Sequence, residues 1–201
     1  LPADEADPKT MTVVDLSKAN ARAFVTAGSK VVCSFSGFVF RGASVDRKDY
    51  HGGALHLAGK FGSSRINHCL FLDNETKQGR GGALVLSGRG GVSTHCTFIG
   101  NRAAEGGGAW MQPGNGSQSV VAFVFRDNRA TTGGALSIGH GVHVSESTFA
   151  GNKADKIGGA VAVPRSASLS LERTRLIGNR APQGAAVGSE DWYGGNIAID
   201  T

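Results

Sequence analysis

The sequence predicts an all-β chain wound into a parallel β-helix, a solenoid of about six or seven coils behind an N-terminal cap. Three observations carry this expectation. Glycine supplies 31 of the 201 residues, about twice the usual share of roughly 7%, with no collagen triplet. A two-part motif recurs along most of the chain at intervals of 24 to 29 residues, the length of one solenoid coil. Within each interval apolar residues fall two apart in runs too short for helices, the pattern of short strands.

Residues 1–30 do not fit the repeat and are expected to cap the open end of the core. Within them Thr12–Leu16 reads as a first strand, and Ser17–Val25 as a short helix with Ser17 as its N-cap. The repeats occupy residues 31–188. Their first half aligns Cys69-Leu-Phe71-Leu-Asp-Asn74 with Cys96-Thr-Phe98-Ile-Gly-Asn101 and Phe123-Val-Phe125-Arg-Asp-Asn128. Ser147-Thr-Phe149-Ala-Gly-Asn152 and Thr174-Arg-Leu176-Ile-Gly-Asn179 follow. An earlier, irregular copy at Phe38-Val39-Phe40 has Ala43 where the others have Asn. Their second half is Gly-Gly-Ala, read at 52–54, 81–83, 107–109, 133–135 and 158–160 and, decayed, at 184–186.

The pairs Leu55/Leu57, Leu84/Leu86, Leu136/Ile138 and Val161/Val163 follow Gly-Gly-Ala, and Trp110 is placed in the column of Leu84 and Leu136 as core filler. Five residues before each Phe stands another apolar column: Phe35, Ile66, Val120, Val144 and Leu171, with Ser93 the exception. Each coil therefore has about three short strands separated by bends. Stacking the coils pairs each strand with its equivalent ~4.8 Å away in a parallel sheet. Glycine supplies the positive-φ bends. The column Asn74, Asn101, Asn128, Asn152 and Asn179 closes another bend, its amides able to bond backbone or the neighbouring coil's Asn. Residues 189–201 read as a C-terminal strand or cap, with Ile197–Ile199 as the final strand. Trp192 and Tyr193 either plug the core there or face a partner. The whole is expected to be one structural domain.

A hydrophobic content of 40% is enough for a continuous core, while 18% charged residues and a net charge of +5 argue against disorder. No apolar run approaches the roughly 20 residues of a membrane-spanning helix. No transmembrane segment is expected, and any association with a membrane complex would be peripheral. Three cysteines, Cys33, Cys69 and Cys96, are too few for a disulfide framework. Cys69 and Cys96 are expected to stack inward as free thiols, a disulfide between coils being the alternative. The start at Leu1 reads as a processed or cloned end. It fits export to the cell surface or extracellular space, or import into an organellar lumen.

The alternation of Gly-Gly-Ala-[Leu/Val] with Phe-x-x-Asn resembles the repeat of the chlamydial polymorphic membrane proteins, over roughly residues 35–188. The resemblance implies a right-handed parallel β-helix. In that family such helices are exported passenger segments serving adhesion, joined to a C-terminal membrane barrel, and no segment here reads as a barrel. The function it implies is a non-catalytic structural or interaction protein: a surface-adhesion module, or an accessory subunit docking within a larger assembly.

The clearest outward column is Glu75, Arg102, Arg129, Lys153 and Arg180. Cations on successive coils repel one another unless anions intervene. The stripe is therefore a candidate surface for an acidic protein, a sulfated glycan or an anionic lipid. The competing reading is a solvated face, with Glu105 and Asp155 taking up the charge. Nucleic acid is not expected, because no exposed aromatics interleave the stripe. His68 and His95 should point the same way on adjacent coils, but a zinc site wants three or four converging ligands. No metal, cofactor or catalytic residue is expected. The runner-up is a carbohydrate-active β-helix, a polyuronide lyase, hydrolase or epimerase, with Asp73 and Asp127 as acid and base. These two share one repeat position two coils apart, ~9.6 Å, near the upper end of the ~6.5–9.5 Å separation of inverting glycosidases. Asn115, in the loop from Gln112 to Ser119, is the credible glycosylation acceptor, since Asn74 is committed to its ladder.

Overall fold

The computed structural model describes residues 10–26, 31–46, 51–59, 63–114, 116–189 and 197–200, which form a parallel β-solenoid of about six turns with no α-helix. Three sheets carry seven strands each and a fourth carries five. In every sheet the neighbours are equivalent segments of successive coils. Alternation dictates this, because a strand of two to six residues has one apolar face that only the next coil can extend.

Five successive coils make four strands each. The Phe sheet runs through Phe38–Arg41, Leu70–Leu72, Thr97–Ile99, Val124–Arg126 and Thr148–Ala150. The cationic sheet comprises Ser44–Val45, Glu75–Arg80, Arg102–Glu105, Arg129–Thr132 and Lys153–Ile157. A Leu sheet includes Leu55–Gly59, Leu84–Gly88, Ala109–Pro113, Leu136–Ile138 and Val161–Val163, and a Val sheet includes Gln118–Val121, Val142–Ser145 and Leu169–Glu172. The cationic sheet is the one the estimate of about three strands per coil lacks. After Val45 its inward column continues as Thr76, Ala103, Ala130 and Ala154, too small to register as apolar.

The core is a set of stacks. Phe71 and Phe98 lie 4.5 Å apart between ring centroids, Phe98 and Phe125 4.8 Å, and Phe125 and Phe149 4.7 Å, all within 14° of parallel. Each ring is fully buried. Ser93, the polar exception in the Val column, is buried too, and its Oγ accepts from the Ile66 N–H at 3.3 Å. At the Gly-Gly-Ala corner the second glycine has no room for a side chain. A Cβ on Gly107 would lie 2.2 Å from the Gly134 carbonyl oxygen of the next coil.

The asparagine column is a continuous buried ladder. The Asn74 Nδ2 donates to Asn101 Oδ1 at 3.0 Å, Asn101 to Asn128 at 2.9 Å, Asn128 to Asn152 at 3.0 Å and Asn152 to Asn179 at 2.9 Å. Every Nδ2 also donates backwards to the carbonyl of the preceding coil's Phe, as Asn128 does to Phe98 at 3.0 Å. Ala43, which breaks the motif, closes the ladder with its backbone: its N–H donates to Asn74 Oδ1 at 3.1 Å.

Two expectations are corrected. Ser17–Val25 forms no helix; the chain turns there, and Phe24–Thr26 joins the Leu sheet in parallel with Leu55–Leu57. A strand edge offering a full row of hydrogen bonds outweighs the weak propensity of a nine-residue segment for helix. Trp110 does not stand in the Leu84/Leu136 column. Ala109 pairs with Leu84 and Leu136, and Met111 with Leu86 and Ile138, so Trp110 registers with Val85 and Ser137 on the outer face. The motif here is Gly106-Gly107-Gly108, with Gly106 taking the positive φ of 64°. A slip of one residue moves every following side chain to the other face of the sheet. The expected strands at the two ends do form, Thr12–Asp15 pairing with Phe38–Arg41 and Ile197–Asp200 with Leu169–Glu172. Trp192, Tyr193 and Asn115 lie outside the described residues.

Candidate functional site

Alternation along the cationic sheet turns Ala103, Ala130 and Ala154 inward and the residue before each of them outward. Arg102 pairs in register with Glu75 and with Arg129, Arg129 with Lys153, and Lys153 with Arg180. Arg102, Arg129, Lys153 and Arg180 are all exposed. The first three edge a shallow groove of about 270 Å³ that Glu75, Thr131 and Asp155 also line, and Arg180 continues the row on the next coil.

Some of the other surface cations find carboxylates. Arg41 meets Asp15 at 2.7 Å, Lys77 meets Asp46 at 3.3 Å, Arg80 meets Glu105 at 3.0 Å and Arg173 meets Glu146 at 2.9 Å. Among the described residues no carboxylate lies within ion-pair distance, 4.0 Å, of the four cations in the row. Glu105, which sequence proximity offers to Arg102, is engaged by Arg80 of the preceding coil instead. The four charges are thus held in line by backbone register and have no ion-pair partner among the described residues.

Asp73 and Asp127 occupy the corner before the cationic sheet, both exposed and both at positive φ, 51° and 55°. The Asp73 carboxylate lies where a Gly100 side chain would be, its Oδ1 2.3 Å from an ideal Cβ there, and Asp127 does the same over Gly151 at 2.5 Å. Glycine in the intervening coils makes the room. No described side chain bonds either carboxylate. His68 and His95 stack with centroids 4.8 Å apart and planes 2° from parallel. Among the described residues no group of three or more His, Cys, Asp or Glu could hold a metal ion. Cys69 and Cys96 are free and buried, their Sγ atoms donating to the carbonyls of Asn67 and Thr94 at 3.3 and 3.4 Å. Burial pushes the Cys96 thiol upward, away from the thiolate needed for reaction.

One surface feature escapes the sequence reading. Outward-facing Trp110 carries the Arg80 guanidinium 4.8 Å above its ring, and with Glu105, Gln112, Ser137 and Gly139 it borders a second groove of about 330 Å³. Three consecutive glycines are the signal that could have exposed it, since they admit the shifted register. On the same sheet burial holds the His56 imidazole down at about 4, helped by nearby Arg22 and His51.

Comparison with known proteins agrees with this architecture. Residues 95–109, one Phe-x-x-Asn and Gly-Gly unit, match the family model of the Chlamydia polymorphic membrane protein (Chlamydia_PMP) repeat. No curated protein and no solved structure matches the chain.

Proposed function

We propose that this chain is a non-catalytic interaction scaffold of the surface-adhesion type, whose row Arg102, Arg129, Lys153 and Arg180 docks an acidic partner. The observation that carries the reading is the alignment of these four exposed cations, in register on successive coils and with no described carboxylate within ion-pair distance. Like charges at such spacing cost electrostatic free energy in the isolated protein, and an anionic partner relieves it. The polymorphic membrane protein repeat supports a structural, surface-displayed role. The carboxylates of Asp73 and Asp127 argue against the carbohydrate-cleaving alternative, because each lies over a glycine corner of the next coil and no described side chain bonds it. Export to a surface, where such a face would meet its partner, belongs to the same proposal.

The test compares two triple variants of equal net charge. Arg102, Arg129 and Arg180 are changed to Gln in one; exposed Lys18, Arg65 and Arg89, outside the cationic sheet, are changed in the other. Binding to an anionic surface is expected to fall in the first and persist in the second. Equal losses would reduce the row to general surface charge.

A further inference from the structure

The row has a pitch, and the pitch discriminates among polyanions. Successive cations sit on hydrogen-bonded neighbouring strands, so they are ~4.8 Å apart and the row spans ~14 Å. An extended acidic peptide presents same-face carboxylates every second residue, ~6.6–6.8 Å apart. It falls about 2 Å out of step at each coil and ~6 Å over the row. One pyranose unit of an extended glycan, by contrast, is close in length to one coil step. An acidic α-helix, rising ~5.4 Å per turn, is nearly in step as well, and the remainder of the groove distinguishes it. Glu75 and Asp155 line the groove beside the cations, with Thr131 between them. Asp73 and Asp127 stand exposed on the adjoining corner without hydrogen-bond donors. A helix bristling with carboxylates meets those groups with repulsion. A glycan brings hydroxyl donors beside each acidic group, and the same carboxylates accept from them.

We propose that the groove binds a linear acidic polysaccharide, bearing one carboxylate or sulfate per one or two pyranose units and lying parallel to the solenoid axis. This rests on the cation row being a binding surface. The experiment measures affinity for size-graded oligogalacturonates and heparin-derived oligosaccharides, against poly-Glu and a helical Glu-rich peptide of matched charge. Affinity should rise with glycan length until the chain covers the ~14 Å row, about three to four units, and then level off. The better of the two glycans should bind at least about tenfold more tightly than either peptide, and the difference should vanish when Arg102, Arg129 and Arg180 become Gln. The uronate and sulfate series show which acid group is preferred. Peptides that bind as tightly as the glycans, and lose binding in the triple variant, would overturn the polysaccharide and leave the row standing. Glycan binding untouched by the triple substitution, or no polyanion binding at all, would overturn both.

Discussion

Replacing Asn128 by Ala removes the middle rung of the asparagine ladder, and the structure fixes what is lost. The Asn128 Oδ1 accepts from the Asn101 N–H at 3.0 Å and from the Asn101 Nδ2 at 2.9 Å, while its Nδ2 donates to Phe98 O and Asn152 Oδ1, both at 3.0 Å. The substitution leaves the Asn101 N–H without that acceptor in a fully buried site, and takes one partner each from Asn101 Nδ2, Phe98 O and Asn152 Oδ1. A buried polar group left unsatisfied costs about 1–3 kcal/mol, and a hydrogen bond lost by a group that keeps another costs about 1 kcal/mol. The sum is about 4–6 kcal/mol, a large part of the ~5–15 kcal/mol stability of an ordinary domain. Urea melts of Asn128→Ala against wild type measure it. The neighbouring substitution Arg129→Gln, at an exposed and unpaired residue, should change stability by no more than about 0.5 kcal/mol. A loss below about 1 kcal/mol at Asn128 would refute the idea that the ladder's bonds are formed and unreplaced by water.

Four further outcomes concern the core, the corners and a titrating histidine. Phe98→Ala opens a cavity between Phe71 and Phe125 and should cost about 3–5 kcal/mol in the same melts. Gly107→Ala drives a Cβ to 2.2 Å from Gly134 O and 2.6 Å from Arg129 O and should cost about 3 kcal/mol or more. Gly178→Ala meets nothing within 4 Å and bears only the strain of a φ near +60°, about 1–2 kcal/mol. The depressed His56 imidazole takes its proton in the unfolded chain before it does so in the folded one. Stability is therefore full above pH ~6.5 and falls progressively as the pH drops towards about 4. His56→Gln should flatten thermal melts across that window, and an unchanged slope would show that other groups set it.

The phenylalanine and asparagine columns are legible in the sequence because each residue type has one role in every coil. Phe fills the same core slot and Asn bonds the same backbone groups, so both survive at fixed positions while the residues between them drift. The fourth strand is not legible, since alanine and threonine facing a narrow corner of the core give no hydrophobic contrast. Trp110 illustrates another limit: Gly106, Gly107 and Gly108 admit two alignments, and only pairing with Leu84–Gly88 decides between them. The N-terminal segment Phe24–Thr26 is set by a strand edge 29 or more residues away in sequence, which no local pattern encodes. At the cation row the alignment is legible from spacing alone. That the charges lack partners is not, because Glu105 lies three residues from Arg102 and yet bonds Arg80 across the coil.

The most direct test of the account is the salt dependence of polyanion binding, measured by titration calorimetry for the wild type and for Arg102, Arg129 and Arg180 changed together to Gln. Exposed charges are screened over a Debye length of ~30 Å at 0.01 M salt and ~8 Å at 0.15 M. If the row docks the partner, wild-type affinity falls steeply over that range, and the triple variant binds weakly with a much shallower dependence. Identical affinities and identical slopes for the two proteins would contradict the account and leave the row as a solvated face.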